Sequence, residues 1–155
     1  MFKFRSSVCV ATMTAGLALA GSAAAGAAQA ITADTTVQTR AHQRADTIIR
    51  PTATLHRNQA WTSGNGRTIL RLQQDGNLVL YKDGRAAWQA PNAWSRGVTA
   101  VFQQDGNFVV YNGGGGPVWA SGTWHKGDYL AVQDDGNLVI YNGNHRPVWA
   151  TNTGD

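Results

Sequence analysis

Between residues 70 and 141 apolar and polar side chains alternate with a period of two, in three stretches of one design. Gln73-Gln74-Asp75-Gly76-Asn77-Leu78-Val79-Leu80-Tyr81 recurs as Gln103-Gln104-Asp105-Gly106-Asn107-Phe108-Val109-Val110-Tyr111 and again as Gln133-Asp134-Asp135-Gly136-Asn137-Leu138-Val139-Ile140-Tyr141, 30 residues apart each time. Period-two alternation marks half-buried strands, and Asp-Gly between apolar runs marks a hairpin turn. Repetition at this period predicts one supersecondary unit per repeat, each burying its apolar face against its neighbours.

The register follows from keeping like with like. A two-residue Asp75-Gly76 turn would set Gln73 opposite Leu78 and mix the faces. A three-residue loop, Gln74-Asp75-Gly76 with the glycine left-handed, pairs Gln73 with Asn77, Leu72 with Leu78, Arg71 with Val79 and Leu70 with Leu80. One face then carries Leu70, Leu72, Leu78 and Leu80, with Ala100, Phe102, Phe108, Val110 and Leu130, Val132, Leu138, Ile140 as equivalents. That is the expected core. The other face carries Gln73, Asn77, Val79 and Tyr81, with Asp75 beside them at the turn.

Three hairpins that each bury one face pack most economically around a common threefold axis. Each repeat is followed by a tryptophan (Trp88, Trp119, Trp149), and Trp94 and Trp124 also stand one period apart. A tryptophan buries about 150–250 Å², which suits such an axis. Composition agrees. The chain has 155 residues with 18 glycines and 6 tryptophans, only 14% of them are charged, and none is glutamate. That excludes a helical bundle and fits short strands joined by tight turns.

Residues 1–30 have the pattern of a secretory signal peptide: Lys3 and Arg5, an apolar run from Val8 to Ala20, and the A-x-A site Ala28-Gln29-Ala30, with an alternative at Ala23-Ala24-Ala25. Export is the expectation, and the stretch is too short and diluted for a membrane span. Cleavage would remove the single cysteine, Cys9, and with it any disulfide or cysteine-based zinc site. It would also lower the net charge from +4 to +2. Residues 31–51, rich in Thr, Asp, Gln and Arg and closed by Pro51, read as a linker or pro-segment, so that residues 52–155 form the domain.

The core accounts for the apolar half of each repeat but not for five identical outward positions. Arg71 is replaced by Val101 and Ala131, and the Tyr-to-Trp loop changes length, whereas Gln, Asp, Asn, Val and Tyr stay fixed. This set suits a neutral polyol. Asp accepts hydrogen bonds from hydroxyls, Asn and Gln each offer a donor and an acceptor, Tyr offers its hydroxyl, and Val meets the C–H side of a pyranose. Asn, Val and Tyr stand in one line about 13 Å long. Such a slot is shallow and weak by itself and gains strength by repetition.

At these residues the chain resembles the bulb-type (monocot) mannose-binding lectins, whose motif Q-x-D-x-N-x-V-x-Y is intact at Gln73–Tyr81, Gln103–Tyr111 and Gln133–Tyr141. Pro117-Val118-Trp119-Ala120-Ser121-Gly122-Thr123 and Pro147-Val148-Trp149-Ala150-Thr151-Asn152-Thr153 are also similar to family sequence. The resemblance implies an all-β, β-prism II fold: three four-stranded antiparallel sheets around a pseudo-threefold axis, with a tryptophan core. It implies mannose-containing glycans or polysaccharides as partners, with no metal or other cofactor. The sugar ligands would be Gln73, Asp75, Asn77, Val79 and Tyr81, Gln103, Asp105, Asn107, Val109 and Tyr111, and Gln133, Asp135, Asn137, Val139 and Tyr141. Asp and Asn would hold the 2-hydroxyl, Gln the 3-hydroxyl and Tyr the 4-hydroxyl, with Val against the ring. Plant members carry a disulfide starting at the position of Gly76, absent here. Exchange of C-terminal strands, as in family dimers, makes a homodimer an expectation for the tail Thr151–Asp155.

Rival classes fit poorly. Glycoside hydrolysis needs two carboxyls roughly 5–10 Å apart in different environments, while the motif aspartates are equivalent and 30 residues apart, and Asp134 and Asp135 are adjacent in sequence only. His42, His56, His125 and His145 fall in linker or turn contexts that suggest no catalytic geometry. The turns lack the acids of a calcium loop, and a charge of +2 without a basic stripe does not suit nucleic acid. A lectin-like antibacterial toxin or a protein-recognition module on the same scaffold stays open. Arg67, Arg71 and Arg85 set the first repeat apart and raise the alternative of an acidic or extended glycan there.

Overall fold

The structure, a computed structural model, describes residues 45–155. The expected signal peptide and residues 31–44 of the expected linker lie outside the described residues. Each repeat forms a three-stranded antiparallel meander: β4 (Thr68–Leu72), β5 (Leu78–Lys82) and β6 (Arg85–Gln89); β7 (Thr99–Phe102), β8 (Phe108–Tyr111) and β9 (Pro117–Ala120); β10 (Tyr129–Val132), β11 (Leu138–Tyr141) and β12 (Pro147–Ala150). A fourth strand completes each sheet from the segment before the first repeat. β1 (Thr47–Ile49) joins β10, β2 (Ala53–His56) joins β7, and β3 (Ala60–Thr62) joins β4.

The result is three four-stranded antiparallel sheets, the β-prism II architecture that the resemblance implied. One boundary moves. β1 lies inside the segment read as a linker, and its pairing of Thr47 with Val132 and Ile49 with Leu130 brings the ordered domain forward from Thr52. Three residues are too few to show a period, so the sequence carried no local signal for it. Among the described residues, no helix is long and apolar enough to cross a membrane.

The hairpins have the expected register. Leu72 pairs with Leu78, Arg71 with Val79 and Leu70 with Leu80; Gln73 N–H donates to Asn77 C=O, and Gly76 takes φ +86° at the turn. The twelve predicted core residues of the three repeats are fully buried. A register shift falls at the motif tyrosine in each repeat, between Leu80 and Tyr81, Val110 and Tyr111, and Ile140 and Tyr141. Such a bulge adds one residue on the opposite strand and sharpens the local twist. It lets Trp88, Trp119 and Trp149 pair with the inward Leu80, Val110 and Ile140.

Those tryptophans meet edge to face, with ring centroids 5.4, 5.6 and 5.7 Å apart. Phe108 extends the cluster from Trp119 (5.9 Å) to Trp61 (5.8 Å). Aromatic pairs of this geometry contribute about 0.5–1.5 kcal/mol each beyond their buried area. Trp94 and Trp124 share the 30-residue period but not the role, for they are 66% and 60% exposed.

Candidate functional site

Each outer face brings the five motif side chains of its repeat together. The Asp-Gly turn is held by the aspartate itself: one carboxylate oxygen of Asp75, Asp105 and Asp135 accepts the backbone N–H of Asn77, Asn107 and Asn137 at 3.0, 2.9 and 2.9 Å. This Asx turn leaves the second carboxylate oxygen for a ligand hydroxyl. At the other end the glutamine amide donates to the tyrosine hydroxyl, at 2.6 Å for Gln73–Tyr81, 2.7 Å for Gln103–Tyr111 and 3.2 Å for Gln133–Tyr141. The tyrosine O–H hydrogen and the glutamine carbonyl remain to meet two further hydroxyls. Val79, Val109 and Val139, 3% exposed, form the floor between the two ends.

The asparagines are where the repeats part. Asn107 Oδ1 accepts the Thr123 backbone N–H and the Ser121 hydroxyl, both at 3.1 Å. Asn137 Oδ1 accepts the Thr153 N–H at 3.3 Å and the Thr151 hydroxyl at 2.9 Å. A backbone N–H only donates, so it fixes the amide oxygen on that side and leaves the NH₂ on the other. A sugar hydroxyl placed there can accept from Asn and donate to Asp at once.

In the first repeat Ala90 stands in the place of Ser121 and Thr151, as its N–H bond to Leu78 C=O shows, and Ala93 in that of Thr123. The Ala93 N–H turns to Ala90 C=O instead, at 3.3 Å. Asn77 Oδ1 is buried with no partner among the described residues, and Asn77 Nδ2 is taken by Gln89 Oε1 at 3.0 Å.

The third site gains a residue that sequence reasoning missed. Asp46, from the segment read as a linker, accepts Gln133 Nε2 at 3.2 Å and the Asp134 N–H at 3.0 Å. The orienting Ser121, Thr123, Thr151 and Thr153 were missed too, although hydroxyl residues at +14 and +16 from the motif asparagine in two repeats, against Pro91 and Ala93 at those positions in the first, were a readable signal. Asp134 and Asp135 engage different partners, Asn65 and Asn137. His125 donates its backbone N–H to Asp105 C=O, and His145 Nδ1 lies 2.9 Å from the Tyr129 hydroxyl. Of the first-repeat arginines, Arg67 is tied to Asp83 by two bonds of 2.6 and 2.7 Å, which hold the Asp83 carboxyl below its ordinary value. The tail bonds its own chain, with Lys82 Nζ donating to Thr153 C=O and pairing with Asp155. Among the described residues no three His, Cys, Asp or Glu side chains gather as a metal site.

No family model and no curated protein matches the chain. Solved structures do. A lectin of Marasmius oreades is 32% identical with a TM-score of 0.64, the match covering 68% of this chain and 90% of that one. A monomeric monocot mannose-binding lectin of Gastrodia elata is 31% identical, TM-score 0.60, covering 70% and 98%. The mannose-specific agglutinin of snowdrop (Galanthus nivalis) bulbs, solved with methyl-α-D-mannoside, is 33% identical, TM-score 0.54, covering 71% and 99%.

Proposed function

This chain belongs to the bulb-type mannose-binding lectin family, and on that footing we propose that it is an exported, non-catalytic protein that binds α-mannose-type sugars without a metal. The observation that carries the reading is the inward-fixed amide of Asn107 and of Asn137 beside a half-free aspartate. A donor and an acceptor so placed suit one hydroxyl, and Gln–Tyr at the far end suits two more. The valine floor takes the C–H face between them. Each site is open and small, so the chain would hold a branched glycan by several sites together.

Support for the sugar class comes from the relatives, one of which was solved with methyl-α-D-mannoside. Calorimetry with methyl α-mannoside and with a mannotriose in EDTA, beside a glycan array, tests the reading. Heat that survives EDTA and mannose-rich array signals are expected; silence in both would end the proposal. Mass spectrometry of the exported protein's N-terminus tests export, with cleavage after Ala25 or Ala30 as the expected result.

A further inference from the structure

Across the middle of each outer face runs one row of four paired residues. In the second sheet it is Thr54, Val101, Val109 and Ala120, and in the third Ile48, Ala131, Val139 and Ala150. In the first it is Ala60, Arg71, Val79 and Gln89. Two small or apolar positions have thus become an arginine and a glutamine, one on each side of the valine floor.

Both changes alter what the site can hold. Gln89 occupies the Asn77 amide, and Asn77 is 9% exposed, so the donor that fits a neutral hydroxyl in the other repeats is engaged within the protein. Arg71 lies at the opposite, open side. It lines a pocket of about 320 Å³ with Ile69, Gln73, Tyr81 and Gly84. Arg71 is exposed and, among the described residues, has no acidic partner, since the ion pairs there are Arg50–Asp128, Arg67–Asp83 and Lys82–Asp155. A guanidinium presents a planar fork of donors that matches a carboxylate or phosphate. Beside it stand the hydroxyl of Tyr81 and the amide of Gln73, which suit sugar hydroxyls.

We propose that the site of the first repeat binds an anionic sugar, a pyranose bearing a carboxylate or phosphate, with Arg71 taking the charge and Gln73 and Tyr81 the hydroxyls. This rests on the reading of the motif faces as sugar slots and changes the ligand of one of them. The chain then reads two chemistries at once, neutral mannose-type residues on two faces and an acidic residue on the third.

NMR titration of the ¹⁵N-labelled protein at low salt tests it with three probes that differ only at C6: methyl α-mannoside, the methyl α-glycoside of mannuronic acid, and methyl α-mannoside 6-phosphate. At least one anionic probe should shift the Arg71 Nε–H and Gln73 amide signals, saturate one site per chain, and bind there about tenfold or more tighter than the neutral probe. Added salt should weaken it. Arg71→Ala should abolish the preference while leaving the mannoside response at Asn107 and Asn137 intact. The anion that binds identifies the charged group. If neither binds better than the neutral probe, or Arg71→Ala keeps the preference, the proposal is overturned. An anionic response at Arg71 with no mannoside response at Asn107 or Asn137 would support this proposal and sink the neutral-sugar reading instead.

Discussion

The backbone N–H of Thr123 donates to the side-chain carbonyl of Asn107 at 3.1 Å. Because that N–H can only donate, the amide has one allowed orientation, with its NH₂ on the side away from Thr123, where the proposed sugar would sit. A packing contact from the chain segment after β9 therefore sets the chemistry of the slot.

The first prediction separates this orientation from simple polarity. Asn107→Asp keeps an oxygen for the Thr123 N–H but supplies no outward donor. Stability should change by less than about 1 kcal/mol, while the mannoside response of the second repeat is lost and that of the third persists. Urea denaturation with a site-resolved NMR titration checks both halves. An aspartate variant that still binds would show that the NH₂ is not the donor.

A stability comparison tests the asymmetry among repeats. Asn107→Ala strands the Thr123 N–H, whose residue is buried, and should cost about 1–3 kcal/mol. Asn77→Ala removes a carbonyl that already lacks a partner among the described residues and should cost at least about 1 kcal/mol less. Equal urea midpoints for the two variants would contradict the difference drawn between Asn77 and Asn107.

The turn glycines divide by what stands beside them. Gly106 has φ +80°, and a Cβ there would strike the backbone carbonyl of Gly127. Gly136 has φ +101°, but its Cβ would meet the flexible Lys82 side chain. Both alanine variants pay roughly 1–2 kcal/mol for the left-handed conformation. Gly106→Ala should pay further because backbone cannot step aside, so its unfolding midpoint should be the lower of the two.

Trp119 and Trp94 give a contrast at one residue type. Trp119→Ala removes partners of Trp88, Trp149 and Phe108 and should cost about 3–5 kcal/mol. Trp94→Ala, at a largely exposed position, should stay within about 0.5 kcal/mol. Thermal unfolding measures both, and near-UV circular dichroism should collapse only for Trp119.

What could be read in advance tracks how local the cause is. The Gln74-Asp75-Gly76 loop and the Leu72–Leu78 pairing were legible because three copies impose the same facing rule on one short stretch. The edge strands were not. Thr47–Ile49 and Ala60–Thr62 are too short to carry a period, and their places follow from pairing with β10 and β4, about 80 and 10 residues away. The Asn107 orientation depends on a donor 16 residues on, and the same 30-residue spacing holds for Trp119 and Trp149, half-buried against the core, as for exposed Trp94 and Trp124. Periodicity places a side chain in the repeat; the packing around it decides its work.

The most direct test follows the side-chain amide signals of Asn107 and Asn137 while methyl α-mannoside is added in the presence of EDTA. The account predicts that both NH₂ pairs shift and saturate, that Asn107→Asp silences one set and Asn137→Asp the other, and that the protein stays folded throughout. Amide signals that do not move at saturating sugar, or sugar binding that survives both substitutions together, would contradict it.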